Sequence, residues 1–434
     1  MRNLNRVKTA VASLVLGSTA VVWALPPQLL YSASTTALEG GAIAITTTVP
    51  ATYVVAAEAN ATNDLEVIAW HDTGSLKNGG LVQLVDTGVV DGPGLQSVGI
   101  TGLDSSRVVT ADIDSSSILT ISTWTVGPAG VVALKAKSTG ANVAYQNVAI
   151  TTLSPTEVVV AYQLLGAPGV SASGGASLAA EEWTIAADGS PSPEGTIAFL
   201  PGVGNVDQVS IATVNSNEVV TAANDDDNDT LWVATWGVDS AGVQSPQAVS
   251  VASTVSRAAK ENLGIGAGTT FRFQDHFPYL EEIQSAFTPV IYEGQVGVIN
   301  WGISATGVLT QKNTPVWTTT PGEPYFQVSA CMVAGKVPMT IYGDNGDNSV
   351  DLEVFPYGSS FDTYSATSGS PTYGIDSIAS AAAGNSAPPL LGMGVYNGYF
   401  VTAVLTHYPA DAPSAYINNL AIRKWSYQVE ETLF

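Results

Sequence analysis

Two stretches of this sequence combine residue types that can do chemistry. The first is an acidic run in which Asp225, Asp227 and Asp229 alternate with Asp226 and Asn228. Alternating carboxylates on a tight loop can supply several of the roughly six to eight oxygens that a hard cation such as Ca2+ takes. The same residue types also favour plain turns, because Asp and Asn side chains bond their own backbone. Further acids fall in comparable places, at Asp112 and Asp114 and at Asp344, Asp347 and Asp351. The second stretch runs from Phe271 to Tyr279 and holds Arg272, Asp275, His276 and Tyr279 among Phe271, Phe273 and Phe277. Aromatic rings stack on sugar faces and planar polar groups bond hydroxyls, so this set reads as a carbohydrate-binding loop. Asp275 with Glu281 or Glu282 also offers the two carboxylates that a glycosidase uses. The plainer reading is a long loop packed by its own aromatics.

Other chemistries find no support. His71, His276 and His407 lie far apart, with no metal-binding spacing between them. No Gly-x-Ser-x-Gly elbow, phosphate-binding loop or dinucleotide fingerprint occurs. Cys331, in the alternating apolar stretch from Val328 to Val333, reads as a buried inert thiol. The chain has 14 Lys+Arg against 37 Asp+Glu and a formal net charge of −23, which argues against phosphate neutralisation and a nucleic-acid partner. Its 45% hydrophobic content excludes a disordered chain, and one cysteine excludes a disulfide scaffold.

The elements that position these loops form a repeat. Val108-Val109-Thr110-Ala111 recurs as Val219-Val220-Thr221-Ala222, with variants at Val54 to Ala57, Val158 to Ala161 and Phe400 to Ala403. After each comes a polar loop and then an alternating strand that ends in an aromatic. The markers are Trp70, Trp124, Trp183, Trp236, Trp301, Phe355 and Trp425. Each unit holds four short strands with period-2 alternation and Gly/Asp/Ser/Pro turns.

Seven such units predict an all-β fold, a seven-bladed β-propeller of four-stranded blades. The Val/Ala strand is expected to line the central channel, and the strand ending in Trp to come second, with its indole packed between blades. An N-terminal strand, Ala42 to Ile45, is expected to close the ring by completing the last blade beside Val429 to Leu433. Tandem sandwiches or a β-helix are the rival architectures.

The N-terminus reads as a secretory signal. Arg2, Arg6 and Lys8 precede an uncharged run from Thr9 to Leu25, with small or compact residues around Ala24. The expected division is a signal peptide over 1–24, with a second cleavage option near residue 34. A linker over 25–40 and a propeller over 41–434 follow. An uncleaved anchor is the other reading. The address is secreted, extracellular or cell-surface, with no membrane insertion after cleavage.

This layout resembles the FG-GAP repeats of integrin α-subunit propellers and the propeller lectins, over about residues 40–434. The resemblance implies a propeller whose post-strand loop binds Ca2+, and Asp225, Asp227 and Asp229 match the alternating acids of that motif. Thr230 stands where the family has Gly, and the family's last carboxylate is missing. The repeating Phe-Gly and Gly-Ala-Pro signatures are absent as well. The functional expectation is a non-catalytic protein that recognises a glycan or an extracellular protein partner through one face, with Ca2+ assisting. The alternatives are an extracellular polysaccharide hydrolase or lyase, and a structural surface or matrix protein.

Overall fold

The computed structural model describes residues 28–36, 43–48, 53–60, 62–72, 81–83, 87–90, 92–127, 131–141, 143–165, 177–225, 230–252, 266–273, 280–292, 295–311, 316–317, 325–330, 336–343, 349–356, 373–377, 390–396, 399–406 and 419–426. Every element among them is a β-strand. The chain opens with β1 (Gln28–Thr36). The first sheet holds β2 (Ile43–Thr47), β3 (Tyr53–Ala59), β4 (Leu65–Asp72), β5 (Leu81–Gln83) and β6 (Gly88–Val90). The second holds β7 (Leu95–Gly102), β8 (Arg107–Asp114), β9 (Leu119–Val126) and β10 (Val132–Thr139). The third holds β11 (Ala144–Ser154), β12 (Glu157–Leu165), β13 (Ser177–Ile185) and β14 (Pro191–Leu200). The fourth holds β15 (Val206–Asn215), β16 (Glu218–Asp225), β17 (Thr230–Asp239) and β18 (Gly242–Ala252). The fifth holds β19 (Gly266–Phe273), β20 (Leu280–Tyr292), β21 (Gln295–Ile303), β22 (Leu309–Gln311) and β23 (Val316–Trp317). The sixth holds β24 (Tyr325–Ala330), β25 (Lys336–Gly343), β26 (Ser349–Pro356) and β27 (Tyr373–Ser377). The last holds β28 (Leu390–Tyr396), β29 (Tyr399–Thr406) and β30 (Asn419–Ser426), with β1 beside β30. Strand pairing is antiparallel throughout, so the chain is all-β and built mainly of four-stranded meanders.

One register recurs in every sheet. Val54, Val108, Val158 and Val219 lie opposite Trp70, Trp124, Trp183 and Trp236, as Ala286 does opposite Trp301. Val337 opposes Phe355 and Phe400 opposes Trp425. Alternate residues then face opposite neighbours. Val109, Ala111 and Ile113 of the second sheet share a core with Val158, Val160, Tyr162 and Trp183 of the third. Val159 and Ala161, from the other side of β12, join Val219 and Trp236 of the fourth. The core is therefore a series of layers between sheets, and the indoles of Trp124, Trp183, Trp236 and Trp301 each pack between two of them, as the repeat predicted.

The strand order corrects two expectations. The Val/Ala strands are second in their sheets and the Trp strands third. Val158 to Ala161 are wholly buried, because flanking strands and two neighbouring sheets cover both faces. That is why these segments read as continuous apolar runs. The strands that pack on one another from sheet to sheet are instead the first ones: β7 on β2 and β11, β11 on β15, β15 on β19, β24 on β28, and β28 on β2. Threonine hydroxyls meet where they do. Thr101 Oγ1 lies 2.9 Å from Thr152 Oγ1, and Thr151 Oγ1 lies 2.9 Å from Thr213 Oγ1. Thr152 donates to Gly102 O at 2.9 Å and Thr213 donates to Thr152 O at 2.7 Å. At the first junction Gly102 N donates to Thr46 Oγ1, and a Cβ at Gly102 would stand 2.0 Å from Thr47 O. Only glycine admits that approach.

The N-terminal prediction is corrected in detail. Ile43–Thr47 pairs with β3 inside the first sheet, Ile45 opposite Ala56. The strand that joins the last sheet is β1, with Ser34 opposite Ala421. It lies inside the stretch expected to be a linker. Residues 1–24 and Val429 to Leu433 lie outside the described residues.

Candidate binding face

In each meander the turn after the second strand and the link to the next sheet emerge at the same end. In the first three sheets these segments are stitched together. Leu95 N donates to Asn63 O at 2.8 Å, Ser115 N to Gly94 O at 2.7 Å, and Tyr145 N to Ser117 O at 3.0 Å. Asp64 Oδ1 accepts from Gly92 N at 3.1 Å. The result is a continuous rim, with each sheet's turn bonded to the next sheet's entry.

The first strands bulge as they leave this rim. The register slips between Leu95 and Ser97, Gln146 and Val148, Val206 and Gln208, and Tyr325 and Gln327. A bulge leaves one residue unpaired and re-aims its side chain, which is why bulges gather near sites. Asn147, at φ 47°, is one such residue. Its Nδ2 donates to Val206 O at 2.7 Å, tying the third sheet to the fourth. The Gln163 amide joins the same link, donating to Val206 O at 2.7 Å and accepting from Val206 N at 3.2 Å. Below the rim lies a belt of buried polar residues on the second strands: Glu58, Asp112, Gln163, Asn224 and Asp225.

The position four residues past each Trp-facing valine is notable. It holds Glu58, Asp112 and Tyr162 in three successive sheets. Both Glu58 oxygens and Asp112 Oδ1 are buried without a hydrogen-bond partner among the described residues. Burial, with Glu66 opposite, pushes Glu58 up to about 8. Burial and Asp114 push Asp112 up to about 7, and Lys137 pulls the other way. Burial raises Glu181 to about 7 despite a bond from Trp183.

Asp225 does not stand in a loop. It ends β16 opposite Thr230, is fully buried, and accepts from Gly204 N at 3.0 Å through Oδ2. Asp227 and Asp229 lie outside the described residues. Asp114 forms an Asx turn, with Oδ1 accepting from Ser116 N at 2.8 Å and Ile118 N at 3.0 Å. Among the described residues no three acidic, His or Cys groups are placed to hold a metal ion.

Arg272 lies in β19 opposite Glu281. Asp275, His276 and Tyr279 lie outside the described residues. Arg272 precedes a first-to-second connection, whereas Asp225 precedes a second-to-third turn. The fourth and fifth sheets run in the same sense, since Thr235 donates to Gly307 O at 2.6 Å near their third-to-fourth ends. Asp225 and Arg272 therefore sit at opposite ends of their strands. His71 is half-buried, and its ring lies tilted against that of Tyr53 with centroids 5.3 Å apart.

Sequence reasoning missed Glu58, Asn147, Gln163 and Asn224. The signal for Glu58 was present: a carboxylate directly after Val-Val-Ala-Ala, where apolar residues should continue.

No family model and no curated protein matches the chain. Among solved structures, AofleA from Arthrobotrys oligospora is 14% identical, covering 80% of this chain and 91% of that one, with a TM-score of 0.44. The SapL1 lectin in complex with alpha methyl fucoside is 11% identical, covering 74% and 95%, with a TM-score of 0.41. A variant of the Aleuria aurantia lectin in complex with alpha-methyl-L-fucoside is 13% identical, covering 77% and 95%, with a TM-score of 0.39. Likenesses this distant say nothing of what this chain binds.

Proposed function

We propose that the chain is a secreted, non-catalytic binding protein, a seven-bladed β-propeller that takes a glycan on the face built by its second-to-third turns. Contacts between the first strands of successive sheets, the packing of β28 against β2, and β1 supplying the last sheet from the other end of the chain support a closed ring. One observation carries the binding reading. The same inner-strand bulge recurs in four sheets at that face, beside a belt of buried amides and carboxylates. Polar groups at repeated positions of a rigid scaffold suit a ligand rich in hydroxyls. Ca2+ bound by Asp225, Asp227 and Asp229 is proposed to brace the rim. Arg272, Asp275, His276 and Tyr279 are proposed as a second contact on the opposite face.

A glycan array probed with the purified chain, in Ca2+ and again in chelator, tests this reading. Binding lost in chelator supports the acidic rim as a metal-braced site. Binding that survives removes Ca2+ from the proposal. No binding in either buffer overturns the glycan reading.

A further inference from the structure

The interface between the first and second sheets, close to the rim, holds a carboxylate with an unpartnered oxygen. Asp112 is 9% exposed, and its Oδ1 has no hydrogen-bond partner. On the same face of this sheet Ser122, opposite Thr110, has a wholly buried Oγ that is also unpartnered. Ala57, Ala59, Leu65 and Val67 of the first sheet belong to the apolar layer that fills this gap and bring no charge to it. Asp114 stands two residues on, and Lys137 on β10 is the charged group that acts against it. No ion pair joins Asp112 to Lys137; the one ion pair among the described residues is Arg107 with Asp104, on the opposite end of the strands.

The distribution of charge around the rim has the same sign. Asp64, Asp112, Asp114 and Asp225 belong to it. Among the side chains described, the cations are Arg107, at the far end of β8, and Lys135 and Lys137 on the outer strand β10. An anionic sugar approaching this face meets repulsion, and a cationic one meets an unpaired carboxylate in a low-dielectric interface.

We infer that this interface takes an ammonium group, the amine of a deacetylated amino sugar, with Asp112 as its counter-ion. The inference rests on the proposed glycan-binding role and names the chemical class of its ligand. Ser122 Oγ, the other unpartnered oxygen on this face, is proposed to accept a second hydrogen bond from the same group. Charge-assisted pairing fixes both orientation and preference for the free amine over its acetamide.

The test is titration calorimetry at pH 7 with a glucosamine tetrasaccharide, its fully N-acetylated form, a sulfated tetrasaccharide, and spermidine as a cation that is not a sugar. The glucosamine form should bind at least about tenfold more tightly than the acetylated one, and the sulfated one least. Asp112→Asn should erase the amine preference to within about twofold while leaving the circular dichroism spectrum in place and the Tm no lower than the parent's. Ser122→Ala, with the carboxylate intact, should weaken the amine form and spare the acetylated one. Amine preference should also fade toward pH 5, as Asp112 takes up a proton. Equal binding of the two tetrasaccharides, or an amine preference kept in Asp112→Asn, overturns the inference while leaving a glycan-binding role standing. Spermidine binding that depends on Asp112, with no tetrasaccharide bound, keeps the ammonium site and overturns the glycan role.

Discussion

Trp124 donates from Nε1 to Thr110 Oγ1 at 2.9 Å, and both residues are fully buried. The same bond joins Trp236 to Thr221 at 2.8 Å and Trp301 to Thr288 at 3.0 Å. In each case the threonine lies two residues past the one that faces the indole. Where valine replaces it, at Val160, Trp183 turns its N–H to Glu181 Oε2 at 3.1 Å. Where alanine replaces it, at Ala56, Trp70 Nε1 has no partner among the described residues.

Thr110→Val should therefore cost about 1–3 kcal/mol, since it leaves a buried donor unsatisfied at nearly constant volume. Thr110→Ser should cost less. Urea denaturation compares them; equal midpoints for the valine variant and the parent would remove any energetic role for the bond.

The converse change is Ala56→Thr. It offers Trp70 the acceptor that three other sheets possess and should raise stability by about 0.5–1.5 kcal/mol. A lowered Tm would show that the added atoms overpack the layer instead.

Gly102→Ala forces a Cβ against Thr47 O and should destabilise by about 1–3 kcal/mol, through movement of the inner strands of the first two sheets. Thermal unfolding of the variant reads this directly. An unchanged Tm would mean those two strands separate freely.

Stability should fall as pH rises from about 5 to 8. Glu58 at about 8, with Asp112, Glu181 and Glu182 at about 7, are raised above their unfolded values. The folded chain thus holds protons in this window that the unfolded chain has released, and the derivative of unfolding free energy with pH is negative. The benefit is fully present below the unfolded carboxylate range and is lost as pH passes the folded values. Glu58→Gln should flatten the upper part of that slope and raise the denaturation midpoint at pH 8. A slope unchanged by the substitution would exclude Glu58 as its source.

The residue at which the mature chain starts should matter. Cleavage after Ala24 keeps β1, whereas cleavage near residue 34 removes most of the strand beside β30. A chain starting at Leu25 should unfold cooperatively, and one starting at Ala37 should lose at least about 5 °C in Tm. Mass spectrometry of the protein recovered from culture medium tests the proposed secretion and identifies the start used.

The sequence alone determined the repeating unit. Period-2 alternation, the Val-Val-x-Ala segments and the marker aromatics are local signals, and backbone geometry converts them into strands and turns without outside help. It also made the tryptophans inter-sheet residues, since a large apolar side chain recurring once per unit must pack between units. Strand order was decided only by tertiary packing. A run such as Val158 to Ala161 looks alike whether it lines a channel or is enclosed on both faces, and neighbouring sheets make the difference. The same holds for β1, whose partner β30 is nearly the whole chain away, and for Asp225, an apparent loop acid that the register places inside a strand. The unpaired carboxylate of Asp112 becomes significant only through the interface around it. Its neighbours in space come from another sheet, and no spacing along the chain records them.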